Sequence, residues 1–360
     1  MRHYLALLGA AALALGAVAG AATDAQAAGK LKACWVYVGP HNDGGFSEGH
    51  DKGRQLVEKE LGDKVETAYV ESVSEGPDAE RALERLARSG CDIIFSTSFG
   101  FMDPTVKVAA KFPKVKFEHA TGFKTAPNLA TYNARFYEGR YIEGQIAAKM
   151  SKAGMAGYIL PFPIPEVVMG VDAFMLGAQS INPDFKIKAV WVNSWFDPAK
   201  EADAAKALFD QGVDIIVQHT DSPAPLQVAE ERGMHGFGQA HDMISFAPKA
   251  QYTAVTDTWG PYYVKRVKAV LDGTWKSEQI WDGLKDGILT MAPYTNLPDD
   301  VVAMAKKTQA DIESGALHPF KGPIYKQDGT EAIPAGKNLD DATLLGINWY
   351  VKGIDDKLPQ

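Results

Sequence analysis

A pattern that occurs twice constrains the fold of this chain more than any other feature. The segment Pro77–Ser98 (PDAERALERLARSGCDIIFSTS) is repeated in outline by Pro198–Thr220 (PAKEADAAKALFDQGVDIIVQHT). Each copy predicts an amphipathic helix, a glycine at which the helix ends, and a short apolar strand. Strands that are apolar on both faces are typical of parallel sheets covered by helices. The two copies therefore predict two similar α/β lobes, with a cleft between them that can hold a small molecule.

The first 28 residues differ from the rest and predict a signal peptide. Arg2 and His3 precede a long apolar run, and Ala25-Gln26-Ala27 has the small-x-small pattern of a signal-peptidase site. No cysteine stands at the end of this run, so we expect no lipid anchor. No later stretch reaches the roughly 18 apolar residues that a spanning helix needs. We therefore expect a protein that is exported to the periplasm by a cleaved signal peptide.

The composition of the chain limits the classes of partner. Hydrophobic residues make up 46% of the chain and charged residues 23%, as in ordinary globular proteins. The roughly 330 residues after the signal peptide are long for one core and suit two domains. The net charge is −8 and no basic run stands out, so we expect no nucleic-acid partner.

Two cysteines, Cys34 and Cys91, each begin a predicted strand of the first lobe. If these strands are neighbours, the sulfur atoms lie at similar height, and an oxidising compartment permits a disulfide. Adjacent parallel positions, however, often have the wrong Cβ geometry for such a bond. A disulfide and a pair of buried thiols both remain open.

The loop after the first strand contains the strongest indication of an enzyme. Gly45–Gly49 (GFSEG) matches the G-x-S-x-G pattern of a nucleophile elbow, on a predicted strand–turn–helix. A hydrolase of that type also needs an earlier strand and loop to donate an oxyanion N–H, and this loop follows the first predicted strand. His241 and Asp221 could supply the remaining groups, but no spacing singles them out. A serine hydrolase is therefore kept only as an alternative.

The same loop is better interpreted as a binding loop. Asn42, Asp43 and two glycines can present an amide, a carboxylate and backbone N–H groups at the start of a helix, which Ser47 can cap. Phe46 is a large apolar side chain beside water, which is costly unless something covers it. A ligand ring, the opposite lobe or its own helix could do so.

Aromatic and acidic residues recur after predicted strands in both lobes, where this topology places the cleft. Paired aromatic faces beside a carboxylate suit a flat, nitrogen-rich ring, because the faces stack on it and the carboxylate accepts its N–H groups. A sugar ring would use the same residue types, so the kind of ring stays open. The aromatic residues are Phe99, Phe101, Phe162, Trp195, Phe196 and Trp259, and the carboxylates are Asp43, Asp103, Asp197, Asp221, Asp242 and Asp257.

Metal and nucleotide-phosphate sites have little support in the sequence. His219, His235 and His241 lie near Asp221 and Asp242, but without the HxxxH or HxxE spacing of a zinc site. No phosphate-loop or dinucleotide signature occurs. We expect neither a metal nor a cofactor, and no catalytic step.

Four segments carry a resemblance to a known family: NDGGFSEG, NSWFDPAKE, GFGQAHD and DGLKDGILTMAPYTNLPDDV. With them the chain resembles the basic membrane protein (BMP) family of ABC-transporter substrate-binding proteins, many of which are specific for purine nucleosides or bases. The resemblance covers nearly all of the mature chain. It implies a type I periplasmic-binding-protein fold of class α/β, with two Rossmann-like lobes joined by a three-strand hinge that closes on the ligand. We expect residues 29–133 and about 256–284 in the N-terminal lobe, and 134–255 and about 285–360 in the C-terminal lobe.

The resemblance also implies partners and site residues. The partners are a purine ligand and the permease and ATPase of an ABC importer, and we expect a monomer. Relatives hold a purine between two aromatic side chains and bind its edge with aspartate and asparagine. By motif, Asn42, Asp43 and Phe46 match the first loop, Trp195 the second aromatic, and Asp242 the late aspartate. The full expected ligand-binding set is Asn42, Asp43, Phe46, Phe99, Phe162, Trp195, Asp221, Gly238, His241, Asp242 and Trp259.

The chain departs from the nucleoside-binding pattern in two places. The family's V-D-S-D-Q is here G-Q-A-H-D-M, and its T-S-V-V-K is here T-A-V-T-D-T-W-G. In relatives the lysine of the second segment helps to bind ribose, and a tryptophan there fills space and removes a donor. We therefore expect a free nucleobase, namely adenine, guanine or hypoxanthine. A nucleoside receptor and a ligand-sensing partner of a membrane receptor are the alternatives within the same fold.

Overall fold

The protein consists of two α/β units of similar construction. A computed structural model describes residues 29–359, so the predicted signal peptide lies outside the described residues. The strands are β1 (Leu31–Tyr37), β2 (Val65–Val70), β3 (Ile93–Thr97), β4 (Lys116–Ala120), β5 (Leu129–Ala134), β6 (Met155–Leu160), β7 (Lys186–Trp191), β8 (Ile215–Gln218), β9 (His235–Ala240), β10 (Gln251–Asp257), β11 (Gln279–Asp282), β12 (Leu289–Met291), β13 (Ile324–Tyr325) and β14 (Glu331–Ile333). The helices are α1 (Phe46–Leu61), α2 (Pro77–Arg88), α3 (Met102–Lys111), α4 (Phe136–Met150), α5 (Pro165–Gln179), α6 (Pro198–Asp210), α7 (Ala224–Glu231), α8 (Trp259–Leu271), α9 (Asp299–Glu313) and α10 (Asp341–Leu344).

Each unit is built on a six-stranded sheet. The first sheet has the order β2-β1-β3-β4-β5-β11, and all neighbours in it run parallel. The second has the order β7-β6-β8-β9-β10-β12, in which β12 runs antiparallel to β10 and the other neighbours are parallel. The predicted fold of two α/β lobes is thereby confirmed, with one antiparallel edge strand that was not anticipated.

The chain passes between the two sheets three times: from β5 to β6, from β10 to β11, and from β11 to β12. Helix α4 lies between β5 and β6 and packs against α5, whereas α8 lies between β10 and β11 and packs against α1. The lobe that begins the chain therefore receives α8 and β11 from its later part. Between residues 29 and 359, no helix has the length and apolar character needed to cross a membrane.

The repeated motif has the same structural role in both lobes. Helices α2 and α6 are followed by Gly90 and Gly212, whose φ angles of +86° and +90° are rarely adopted by other residues. Strands β3 and β8 then run through the interior, buried along their whole length. Asp92 and Asp214 accept backbone N–H groups near the start of the neighbouring strand. The motif therefore ends a helix, reverses the chain and anchors a central strand.

The two cysteines are joined. Cys34 in β1 and Cys91 just before β3 form a disulfide, with Cα atoms 6.1 Å apart. Of the two states that the sequence left open, the bond is the one present. It ties the first strand of the N-terminal sheet to the loop that leads into its neighbour.

Candidate functional site

A cavity lies between the lobes, where loops from both sheets meet. It offers about 330 Å³ of space, its mouth included. Except for Gln239, which lies in β9, its wall residues follow the carboxyl ends of strands, which is where open parallel sheets generally bind ligands. The segments before β6 contribute Val38, Phe46, Ser98, Phe99, Thr121 and Phe136, and the segments after β6 contribute Glu166, Trp195, His219, Asp221 and Gln239.

The apolar part of the wall is mainly aromatic. Phe46 begins α1 and Phe99 follows β3, whereas Phe136 begins α4. Trp195 comes from the loop after β7, in the opposite lobe. Rings from both lobes therefore border the cavity, an arrangement that suits a flat ligand held between stacked faces.

The polar part of the wall includes two acidic residues, and several of its atoms lack a partner in the described part of the protein. Three of its atoms, Glu166 Oε2, His219 Nδ1 and Asp221 Oδ2, are buried without a hydrogen-bond partner among residues 29–359. Asp257, at the end of β10, has a further unpartnered oxygen, Oδ1, while its Oδ2 accepts from Trp259 Nε1 at 3.1 Å. Because buried polar groups are normally paired, these atoms are the ones that a ligand would satisfy.

Burial determines the protonation of this cluster. Desolvation raises the pKa of Glu166 to about 8. Desolvation, reinforced by nearby carboxylates, also raises the pKa values of Asp221 and Asp257 well above the usual range. Desolvation, with the charge of Arg140, lowers the pKa of His219 well below its usual value. The histidine is therefore neutral, and ligand N–H donors would favour the ionised form of the carboxyl groups.

The lobes touch beside the cavity. The backbone of Gly45 lies so close to the second lobe that a Cβ atom on it would be 2.3 Å from the carbonyl oxygen of Asp221. A Cβ on Gly44 would be 3.0 Å from the ring of Pro223. Further along α1, Lys52 Nζ lies 2.6 Å from His241 Nε2. The structure therefore shows the two lobes in a closed arrangement.

The structure places four residues of the expected set in the cavity wall: Phe46, Phe99, Trp195 and Asp221. Phe162 lies behind Trp195, with ring centroids 5.3 Å apart, and borders an adjoining open groove instead.

Two expected residues of the first loop have other surroundings. Asn42 is exposed. Asp43 is buried, and its oxygens accept the backbone N–H groups of Gly45, Ser47 and Glu48 at 2.9–3.0 Å. Its carboxylate therefore caps α1, because the free N–H groups of the helix start already occupy it.

Four later residues of the expected set also have protein partners. Gly238 lies within β9, where a Cβ would be 2.8 Å from Ala254. His241 contacts Lys52 at the lobe boundary. Asp242 accepts from Gln251 Nε2 at 2.7 Å. Trp259 is fully buried and stacks on His50, so that it reaches the site only indirectly, by holding Asp257.

The serine of the G-x-S-x-G segment is not arranged as a nucleophile. Ser47 is fully buried, and its Oγ accepts the N–H of Gly39 at 3.2 Å. In the described part of the chain, no histidine hydrogen-bonds to it, and His50 one turn later pairs with Tyr263. Across residues 29–359 there is likewise no cluster of three metal-ligating side chains.

Sequence reasoning missed several wall residues. Phe136 and Glu166 follow β5 and β6 at the starts of α4 and α5, and His219 directly follows β8, two residues before the predicted Asp221. The sequence indicated His219 only as a possible metal ligand. The rule used for the other positions, that polar or aromatic residues after strand ends face the cleft, would have included all three.

Comparison with known proteins agrees with this geometry. Residues 30–327 match a family model described as Bmp, ABC transporter substrate-binding protein PnrA-like. A purine-binding protein of Brucella abortus (strain 2308) is 65% identical over 336 residues, which cover 93% of this chain and 96% of that one. A Haloferax volcanii protein, provisionally named an ABC transporter glucose-binding protein, is 33% identical over 91% of this chain and 81% of its own length. A solved solute-binding protein of an ABC transporter system from Aeropyrum pernix K1 has a TM-score of 0.69 at 19% identity, over 87% of this chain and 95% of that one.

Proposed function

This chain belongs to the PnrA-like (Bmp) family of ABC transporter substrate-binding proteins, and from that premise we propose that it captures a free purine base between its lobes. As a member of this family it is a substrate-binding protein and not an enzyme. Its partners are accordingly a small-molecule ligand and the membrane components of a transporter.

The observation that carries the proposal is the set of unpartnered acidic oxygens between aromatic walls. Glu166 and Asp221 in the cavity wall each have a buried oxygen that finds no protein partner among residues 29–359. Asp257 is not part of that wall, but it has another such oxygen and lies near both residues. A purine offers flat faces to the rings of Phe46 and Trp195 and N–H donors to the carboxyl oxygens. The 65% identity to a purine-binding protein supports the same ligand class.

Two features favour a base over a nucleoside. A free base carries an imidazole-ring N–H, which a nucleoside has lost to its sugar, so that the base matches an acid-rich wall better. Among the described residues that line the cavity there is no lysine or arginine to bind a sugar hydroxyl.

The proposal is tested by calorimetry with adenine, guanine, hypoxanthine, adenosine, guanosine and glucose. We expect at least one base to bind more tightly than any nucleoside. Trp195→Ala should weaken binding of that base more than tenfold, about 1.4 kcal/mol, because it removes a stacking face. The matched control is Trp349→Ala, which removes a half-buried tryptophan that does not line the cavity. Tighter binding of nucleosides would show that the ligand is a nucleoside and not a free base. Binding of glucose alone would show that the ligand is a sugar and not a purine.

We further propose how the protein works in the cell. Residues 1–28 direct export to the periplasm and are cleaved, without attachment of a lipid. The lobes formed by residues 29–133 with about 256–284, and by 134–255 with about 285–360, close as units on the ligand, because the ligand contacts both. A monomer in the closed state is then recognised by the permease and its ATPase.

A further inference from the structure

We propose that Glu75 is a positioning residue of this binding site: its carboxylate reaches across the cleft and holds the indole of Trp195 in place at the cavity wall. The inference deepens the proposed function and depends on it only for the choice of ligand in one of the two tests below.

One oxygen of Glu75 accepts hydrogen bonds from both lobes. Glu75 lies in the loop between β2 and α2 of the N-terminal unit. Its Oε1 accepts from Ser98 Oγ at 2.6 Å and from the backbone N–H of Gly100 at 3.0 Å, both in the same unit. The third donor, Trp195 Nε1 at 3.0 Å, comes from the other unit. Two local bonds therefore fix the carboxylate, and the third crosses the cleft.

The packing around the carboxylate is close. A Cβ on Gly100 would lie 2.2 Å from the carboxyl carbon of Glu75, so only glycine leaves room for it there. In the sequence, Phe99 lies between the two local donors Ser98 and Gly100, and its side chain lines the ligand cavity. The segment that orients Glu75 is thus the same one that supplies a wall of the site.

Two contacts other than the bond to Glu75 hold Trp195, one at its backbone and one at its ring. Its carbonyl oxygen accepts the backbone N–H of Asp221 at 2.9 Å, and its ring packs against Phe162. Neither contact sets the direction in which the indole N–H points. The bond to Glu75 sets the direction of the indole N–H. It is a charge-assisted hydrogen bond, which is stronger than one between neutral groups.

The bond couples the orientation of Trp195 to closure of the lobes. Glu75 and Trp195 belong to different lobes, so their bond exists only while the lobes are together. A ligand stacked on Trp195 and the Glu75 bond therefore stabilise the same state, and each should strengthen the other. The Lys52–His241 contact also joins the lobes, but neither residue lines the cavity, so it provides the matched control.

The first test is a double-mutant cycle with the tightest-binding base as ligand. Glu75→Ala should weaken binding about tenfold, and Trp195→Phe, which keeps a ring but lacks the N–H, by a similar factor. The double variant should bind no more weakly than the weaker single variant, because both changes remove one bond. Glu71→Ala, on the same loop but paired with His41 of its own lobe, should bind like the wild type. Additive losses would overturn the proposal. Glu75→Met, which keeps the length of the side chain but has no oxygen to accept the indole N–H, replaces Glu75→Ala if the latter does not fold.

The second test needs no ligand. In a ¹⁵N–¹H spectrum the indole resonance of Trp195, assigned by its loss in Trp195→Phe, should shift in Glu75→Ala more than any other indole resonance and stay in place in Lys52→Ala. An unmoved resonance would overturn the positioning role. If the wild type binds no purine, the proposed function fails, while this spectrum still decides the role of Glu75.

Discussion

Replacement of Gly45 by alanine should prevent the lobes from closing without harming either lobe. In the closed structure an alanine Cβ at this position would lie 2.3 Å from the carbonyl oxygen of Asp221. That oxygen belongs to the backbone of the opposite lobe, so it cannot move aside as the end of a flexible side chain could. The clash is absent when the lobes separate. This clash therefore penalises the closed state and not the open one.

The size of the effect follows from the overlap. Ordinary van der Waals contact begins at 3.4 Å, so the new atom is too close by about 1 Å. Overpacking of this kind costs typically about 1–3 kcal/mol, and a rigid backbone partner places the cost at the upper end. A penalty of about 3 kcal/mol on the closed state corresponds to about a hundredfold loss of ligand affinity.

Calorimetry and thermal unfolding provide the assay. Gly45→Ala should bind its base about a hundredfold more weakly, and the ligand should no longer raise its melting temperature, while the ligand-free melting temperature stays close to that of the wild type. Gly49→Ala is the matched control, because its Cβ would approach the same lobe at an ordinary 3.4 Å from Ala240 O. Binding by Gly45→Ala within twofold of the wild type would refute the closed geometry.

Three further predictions concern stability. Removal of the disulfide by the joint change Cys34→Ser and Cys91→Ser should lower the free energy of unfolding by about 4 kcal/mol, given the separation of 57 residues, in denaturant titrations under oxidising conditions. Asp43→Ala should lower it by about 1–2 kcal/mol, because α1 loses its cap. Burial raises the pKa of Glu166 to about 8 in the folded state, so the folded protein binds more protons at this residue than the unfolded chain does. The contribution of Glu166 to stability therefore falls as pH rises from about 4.5 to 8. Glu166→Gln should flatten that decline.

Each of these predictions has an outcome that contradicts it. Equal stability of the cysteine-free variant and the oxidised wild type would mean that the bond adds nothing. An unchanged unfolding midpoint in Asp43→Ala would show that other groups satisfy the helix start. If Glu166→Gln keeps the full pH dependence of the wild type between about pH 4.5 and 8, the burial of Glu166 does not control it.

Much of the fold could be predicted from local sequence. The two G-x-D-I-I motifs located α2 and α6, β3 and β8, and the glycines between them, because helix amphipathicity, a positive φ angle and an unbroken apolar strand depend on residues close together in the chain. The antiparallel strand β12 escaped prediction, since three residues (Leu289–Met291) carry too little periodicity to indicate a direction.

The type of site could be predicted from the sequence, but the full set of residues that line it could not. Strand ends supply Phe46, Phe99, Trp195 and Asp221 to the cavity wall, as expected from the topology. Asp43 also lies beside a strand end, but backbone N–H groups of α1 take up its oxygens. The position of a residue along the chain does not show whether its side chain is already hydrogen-bonded to other protein groups.

Local sequence patterns were enough to predict that two α/β lobes form and that aromatic and acidic residues gather where their loops meet. The folded protein was needed to show which carboxyl oxygens have no partner among residues 29–359, as is true of Glu166 Oε2 and Asp221 Oδ2, and that Glu75 joins Trp195 across the cleft. The two cases differ in the range of the interactions. Helices and strands follow from neighbours in the chain, whereas a hydrogen bond between residues 75 and 195 exists only once both lobes have folded and closed.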